Sequence, residues 1–138
     1  MLSQIIDTIK TLSLKNYPHL QAIYIYGSYA SGQETPQSDI DIALLFPVTK
    51  EKPELLACSQ LSVELEINLK KNIDLVDLRR VSTLLQKEVV MNGERIFTDG
   101  TSAADSFEVL VMSFYQKLCE EREEIVREGI SSGRFYHE

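Results

Sequence analysis

Apolar residues recur along this chain with two different periods, and the switches between them divide it into elements. Near the start, Leu2, Ile5, Ile6 and Ile9 fall at helical spacing with Gln4, Asp7 and Lys10 between them. That pattern predicts an amphipathic helix, neither a signal peptide nor a membrane span. Ala22-Ile23-Tyr24-Ile25-Tyr26 is a β-rich run that stops at Gly27, and a second strand is expected around Asp39-Ile40-Asp41, turning strongly apolar over residues 43–46. Residues 53–70 carry conflicting signals. Leu61, Val63, Leu65, Ile67 and Leu69 alternate with polar residues as a strand would, whereas Pro53 suits the first turn of a helix and Leu, Glu, Lys and Gln favour helix. A helix there would deliver the chain to a β-like run at 72–77, so helix is the expectation. Another helix is predicted over 81–92, ended by Gly93, then a short strand at 95–97 and a turn at Asp99-Gly100. From about 102 to 129, Phe107, Leu110, Val111, Phe114, Leu118 and Ile125 follow helical spacing, with Glu120, Glu121, Glu123, Glu124 and Arg127 on the other face. This predicts a long helix packed on the sheet with a solvated acidic side; such a helix can also pack at one end and project at the other, offering a face to a partner. Residues 131–138 read as a mobile tail.

A chain of 138 residues corresponds to about one domain, expected to span 1–138, large enough for a real core but short for a catalytic domain plus a separate substrate-recognition domain. Its hydrophobic content of 43% and charged content of 25% are those of an ordinary soluble globular protein. The formal net charge is −7, whereas proteins that hold nucleic acid by its phosphates present a basic surface. Action on a long nucleic-acid template is therefore not expected. Cys58 and Cys119 lie far apart without ligand-like spacing, which indicates neither a zinc site nor a disulfide framework and fits a reducing cytoplasm. His19 falls in a loop before the first strand and His137 next to the terminus; neither is assigned a role.

The candidate chemistry lies between Gly27 and Asp41: a Gly27-Ser28 pair, ten intervening residues, then Asp39-Ile40-Asp41. Alternation along a strand points Asp39 and Asp41 the same way, roughly 7 Å apart. Two such carboxylates can share hard divalent cations, since Mg²⁺ prefers oxygen ligands and is usually completed by water and phosphates. Gly27, without a Cβ, would let phosphate oxygens approach the backbone. Ser28 would add a hydroxyl and, if a short helix begins there, backbone N–H donors that attract an anion. Metal carboxylates and a phosphate cradle would then face one pocket able to hold a metal-bound nucleoside triphosphate. Tyr24, Tyr26 and Tyr29 flank the motif; one of them could stack on a base, but packing is their expected use.

Gly27-Ser28, ten spacers and Asp39-x-Asp41, with Ser38-Asp39-Ile40-Asp41-Ile42 around the acids, resemble the signature of the DNA polymerase β-like nucleotidyltransferase superfamily. The likeness is to its short bacterial members, the minimal nucleotidyltransferases (MNT) encoded beside HEPN-domain toxins. It runs from about the first strand to the strand ending at Phe97, with a weaker match in the last helix. One departure is Ser31, where many relatives carry Arg, so a phosphate contact by that arginine cannot be carried over. The resemblance implies an α/β (α+β) fold with a small mixed sheet flanked by helices, a catalytic core at about 20–98 and a long C-terminal helix at about 102–129. It also implies two Mg²⁺ ions on Asp39 and Asp41, ATP as nucleotidyl donor, and Gly27 and Ser28 on the terminal phosphates. A third carboxylate is expected to complete the metal site and help deprotonate the acceptor, and the resemblance gives this role to Asp74. Asp77 competes, but residues three apart on a strand face opposite ways, so only one of the two can join Asp39 and Asp41. Lys50, Arg79 and Arg80 are unranked candidates for further phosphate contact. The implied activity is that of a cytoplasmic antitoxin that moves AMP from ATP onto a tyrosine hydroxyl of a HEPN ribonuclease, its partner, with nucleic acid and membrane not expected as partners. The alternatives are a small-molecule nucleotidyltransferase of the aminoglycoside-modifying kind and a non-catalytic module that neutralises its partner by steric binding.

Overall fold

Both apolar periods of the sequence converge on the two faces of a four-stranded sheet. The computed structural model describes residues 2–35, 37–48, 56 and 59–132, with the backbone alone for 127–132. The elements run α1 (Leu2–Asn16), β1 (Ala22–Tyr26), α2 (Ser28–Ser31), β2 (Ile40–Leu45), α3 (Gln60–Leu69), β3 (Ile73–Asp77), α4 (Thr83–Asn92), β4 (Glu94–Thr98) and α5 (Ala103–Ser132). The sheet order is β3-β2-β1-β4. Strand β1 lies antiparallel to both its neighbours, whereas β2 and β3 are parallel. A parallel pair needs a crossover connection, and α3 is the helix that lies on it.

Alternation along the two central strands divides the core. Ile23 and Ile25 of β1, with Ile40, Ile42 and Leu44 of β2, pack against Ile9 of α1 and Leu61 and Leu65 of α3. On the opposite face Tyr24 and Tyr26, with Ala43 and Leu45, meet Val89 of α4 and Phe107 and Val111 of α5. Strands covered on both sides in this way are buried along their whole length, as β1 is. The side chain of Glu64 joins α1 to α3, accepting from Lys15 Nζ at 2.9 Å and Asn16 Nδ2 at 2.8 Å.

The conflict over 60–69 resolves as helix. Ser59 caps it, its hydroxyl accepting from Ser62 N–H at 3.2 Å. Leu61 and Leu65, four apart, turn inward while Val63 and Ile67 face solvent. The apparent β alternation is a helical i, i+4 pair with two exposed apolar residues between. Pro53 and Cys58, and with them the expected start of this helix, lie outside the described residues, as does the tail from 133 onward. Helix α5 packs at one end and projects at the other. Only its first turns pack, through Ala104, Phe107 and Val111, while Leu110, Phe114, Leu118 and Ile125 are exposed. Thirty residues make a helix of about 45 Å, longer than a five-residue strand of about 17 Å can cover. No helix among the described residues is long and apolar enough to cross a membrane.

Candidate active site

The site is built where β1 ends and β2 and β3 begin. Register places Tyr26 of β1 opposite Asp41 of β2, and Asp41 opposite Asp74 of β3. Directly paired residues share a face, so the three side chains form a row across the sheet on the α4 and α5 side. Asp39 stands one residue before β2, at its mouth rather than within it. A turn fixes the approach to it: Ser38 N–H donates to Thr35 O at 2.9 Å and Thr35 N–H to Ser38 Oγ at 2.7 Å.

Gly27 closes the other side of the row. It takes φ 73° and ψ −147° immediately before α2, a region open essentially to glycine alone. A Cβ here would run into Asp41 Oδ2, so the Gly27 backbone lies directly against the carboxylate. Ser28 opens α2, whose four residues fold back on Gly27 O through the N–H groups of Ala30 and Ser31, both at 3.2 Å.

Electrostatics record how close these groups are. Asp41 has its carboxyl pKa pushed up, first by burial, then by the charges of Asp74 and Asp39. Burial, with Asp74 and Asp41 adding to it, likewise pushes the Tyr26 hydroxyl up and keeps it protonated. A buried carboxyl whose proton affinity is raised by neighbouring carboxylates marks a place where a divalent cation relieves repulsion. Among the described residues no three His, Cys, Asp or Glu side chains form a ready-made cage for an ion. The donor set of hard oxygens instead suits Mg²⁺ that takes its remaining ligands from water and substrate phosphates.

Asp77 belongs elsewhere. It pairs with Leu44 at the far end of β3, accepts from Arg79 N–H at 3.1 Å and makes an ion pair with Arg80 at 3.5 Å. Arg79 is likewise committed to the fold. Its guanidinium donates to Phe46 O and to Gln21 Oε1, both at 2.6 Å, and lies 5.3 Å from the Phe107 ring. Neither arginine belongs to the row, and Lys50 lies outside the described residues. The basic side chains next to Asp39 are Lys70 and Lys71, which the sequence reading did not single out. The signal available for them was their place just ahead of the strand that carries Asp74. Tyr26 was noted in the sequence only as one of three flanking tyrosines; its place in the row follows from register.

A glycine turn into a short helix, two acids at the start of β2 and a third acid one strand away are the parts that a metal-dependent nucleotidyltransferase site would need. Residues 7–101 match the polymerase β nucleotidyltransferase family, and the chain belongs to that family. Closer likeness is to the protein adenylyltransferase MntA of Shewanella oneidensis, with 41% identity over 112 residues, covering 80% of this chain and 77% of MntA. Among solved structures, it is similar to a chain of a toxin–antitoxin pair with AMP-PNP, at TM-score 0.75 and 35% identity over 91% of this chain and 98% of that one. It is also similar to a chain in the structure of tri-AMPylated Shewanella oneidensis HEPN toxin in complex with MNT antitoxin. There the TM-score is 0.71, with 35% identity over 94% of this chain and 99% of the other.

Proposed function

We propose that this chain is a minimal nucleotidyltransferase domain acting as a cytoplasmic antitoxin, which transfers AMP from ATP to a tyrosine hydroxyl of a HEPN ribonuclease toxin. The observation that carries this reading is the likeness, over nearly the whole chain, to a complex of MNT antitoxin with AMP-bearing HEPN toxin. The row of Asp41 and Asp74 opposite one another supports the catalytic part of it.

In this reading the acceptor oxygen bonds to the α-phosphorus as the bond from that phosphorus to the bridging oxygen breaks. Pyrophosphate leaves, and the phenolic proton passes to the Asp74 carboxylate. Asp39, Asp41 and Asp74 would hold two Mg²⁺ ions, which neutralise phosphate charge and align attacking and leaving oxygens. Gly27 gives the phosphates access to the backbone, and Ser28 offers a hydroxyl beside them. Tyr26, kept protonated at neutral pH, walls one side of the acid row.

Contact alone would release an active toxin on dissociation; an attached AMP persists and places negative charge where RNA phosphates must bind. The test is the intact mass of the HEPN partner after incubation with this protein, ATP and Mg²⁺, then removal of the antitoxin and a ribonuclease assay. The expected result is added AMP and lasting inhibition, both lost with Asp39→Asn plus Asp41→Asn. An unmodified partner that regains full activity on separation rejects transfer and leaves steric binding as the account.

A further inference from the structure

Beside Asp39 opens a groove of about 380 Å³ whose walls include Ser38, Asp39, Glu66, Lys70, Lys71 and Asn72. The parallel pairing of β2 with β3 creates it. Ile40 N–H donates to Asn72 O at 3.0 Å, so the residues just before β3 arrive next to those just before β2. Lysines at 70 and 71 are thereby set beside Asp39 by the same pairing that sets Asp74 opposite Asp41.

Two further features give these lysines a direction. The Lys71 ammonium lies 5.9 Å from the centre of the Tyr29 ring, and Tyr29 follows Ser28 in α2, so one cation lies beside the short helix that Ser28 opens. Lys70 ends α3 at φ 55° and ψ 40°, its N–H donating to Glu66 O at 2.8 Å. Glycine fills such a position without steric cost, while an L-residue there is strained. Among the described residues Lys70 is the one non-glycine with positive φ. Strain kept at the rim of a site points to the chemistry of the side chain. By contrast Ser31, at the end of α2, supplies no charge, and its hydroxyl donates to Ser28 O at 3.2 Å.

We propose that Lys70 and Lys71 form a subsite for the β- and γ-phosphates of the nucleotide and for the pyrophosphate that leaves. The proposal rests on the nucleotidyltransferase reading above and deepens it. The substrate is a polyanion brought against Asp39, Asp41 and Asp74, and cations beside them offset that repulsion. Two ammonium groups on the terminal phosphates make charge-assisted hydrogen bonds and hold the negative charge that grows on the leaving group. Glu66, on the same wall, limits the groove to ligands that bring enough charge to engage both lysines.

The experiment is calorimetric titration of ATP, inorganic pyrophosphate and AMP, each with Mg²⁺, into the wild-type protein and into Lys70→Gly, Lys71→Met, Lys71→Arg and the Lys70→Gly plus Lys71→Met double variant. The Lys71→Met and double variants should weaken ATP and pyrophosphate about tenfold or more while AMP changes by less than about twofold, the scale of losing a charged hydrogen bond. Lys71→Arg should keep most of the affinity. Lys70→Gly should weaken ATP yet melt at or above the wild-type temperature, because glycine removes the backbone strain. Unchanged ATP affinity in the double variant overturns the subsite, as does an equal loss for AMP. A wild-type protein that binds none of the three ligands brings down the nucleotidyltransferase reading itself, an outcome separable from failure of the subsite alone.

Discussion

At the residue scale the tightest constraint is the contact between Gly27 and Asp41. The backbone at Gly27 takes a conformation reserved for glycine, and any Cβ there meets the Asp41 carboxylate. Gly27→Ala should therefore cost about 1–3 kcal/mol of stability from backbone strain, measurable by urea denaturation. It should also lower kcat by displacing Asp41; activity at the wild-type level would show that the carboxylate tolerates the shift. A second contrast separates the acids of β3. Asp74 faces Asp41, while Asp77 is bound to Arg79 N–H and paired with Arg80. On the proposed function, in which Asp74 receives the acceptor proton, Asp74→Asn should reduce turnover far more than ATP binding, since such a group acts in the transition state. Asp77→Asn should leave kcat near wild type, and the larger loss at Asp77 would place the proton acceptor at the wrong end of the strand. Asp41 and Asp74 pair as the strand reading of both segments expects, whereas Asp39 stands outside β2, and the preference for Asp74 over Asp77 leaned on the family resemblance as well as on alternation. Lys70 and Lys71 were not legible in the sequence, since their nearness to Asp39 comes from pairing two segments about thirty residues apart, which no local pattern encodes.

At the element scale, legibility followed the strength of each period. Strands β1 and β2 could be read from their apolar content, and α4 from the stop at Gly93, with Ser82 capping its start. Strand-like alternation in α3 misleads because Val63 and Ile67 lie exposed on a helix, and the choice needed the chain path as well as the pattern. How far α5 packs was invisible for another reason: the sequence shows an apolar stripe, but only the sheet's width decides how much of it is covered. What anchors the covered part is polar. The buried Tyr24 donates to Glu108 at 2.6 Å, and Arg95 of β4 reaches Glu108 at 3.0 Å and Asp105 at 2.9 Å. This network ties the first turns of α5 to β1 and β4. Tyr24→Phe keeps the ring and removes one charge-assisted hydrogen bond, so it should cost about 1.5–3 kcal/mol without altering ATP affinity. Hydrogen exchange should quicken in the first turns of α5 and stay unchanged in α3. Uniform quickening through the sheet would mean that the network supports the whole core and not this one junction.

Across the whole molecule, an acidic chain concentrates three carboxylates at one end of its sheet, and the folded protein bears their repulsion. Asp41 shows the sign. Its folded pKa lies above the unfolded value, by burial and by Asp74 and Asp39, so between the two values the folded state binds more protons than the unfolded. Stability from this group is therefore greatest below the unfolded pKa and is lost as pH rises through the folded one. At neutral pH Asp41→Asn removes the penalty and should raise the melting temperature of the ligand-free protein. In acid, below the unfolded carboxylate range, the wild type is protonated as well, and that advantage should shrink. Ligand reverses the order. On the proposed function a bound nucleotide and its metal would stabilise only the folded state, by about 2.7 kcal/mol at a hundredfold excess over Kd, and the ions would need the charge that the variant lacks. Mg²⁺ with a non-hydrolysable ATP analogue should then stabilise the wild type strongly and Asp41→Asn little, so that their melting temperatures cross as ligand is added. Scanning calorimetry with and without ligand, at neutral and acid pH, measures both halves. A variant less stable than the wild type without ligand would mean that Asp41 holds the fold together, and equal ligand-induced shifts would remove it from the metal site.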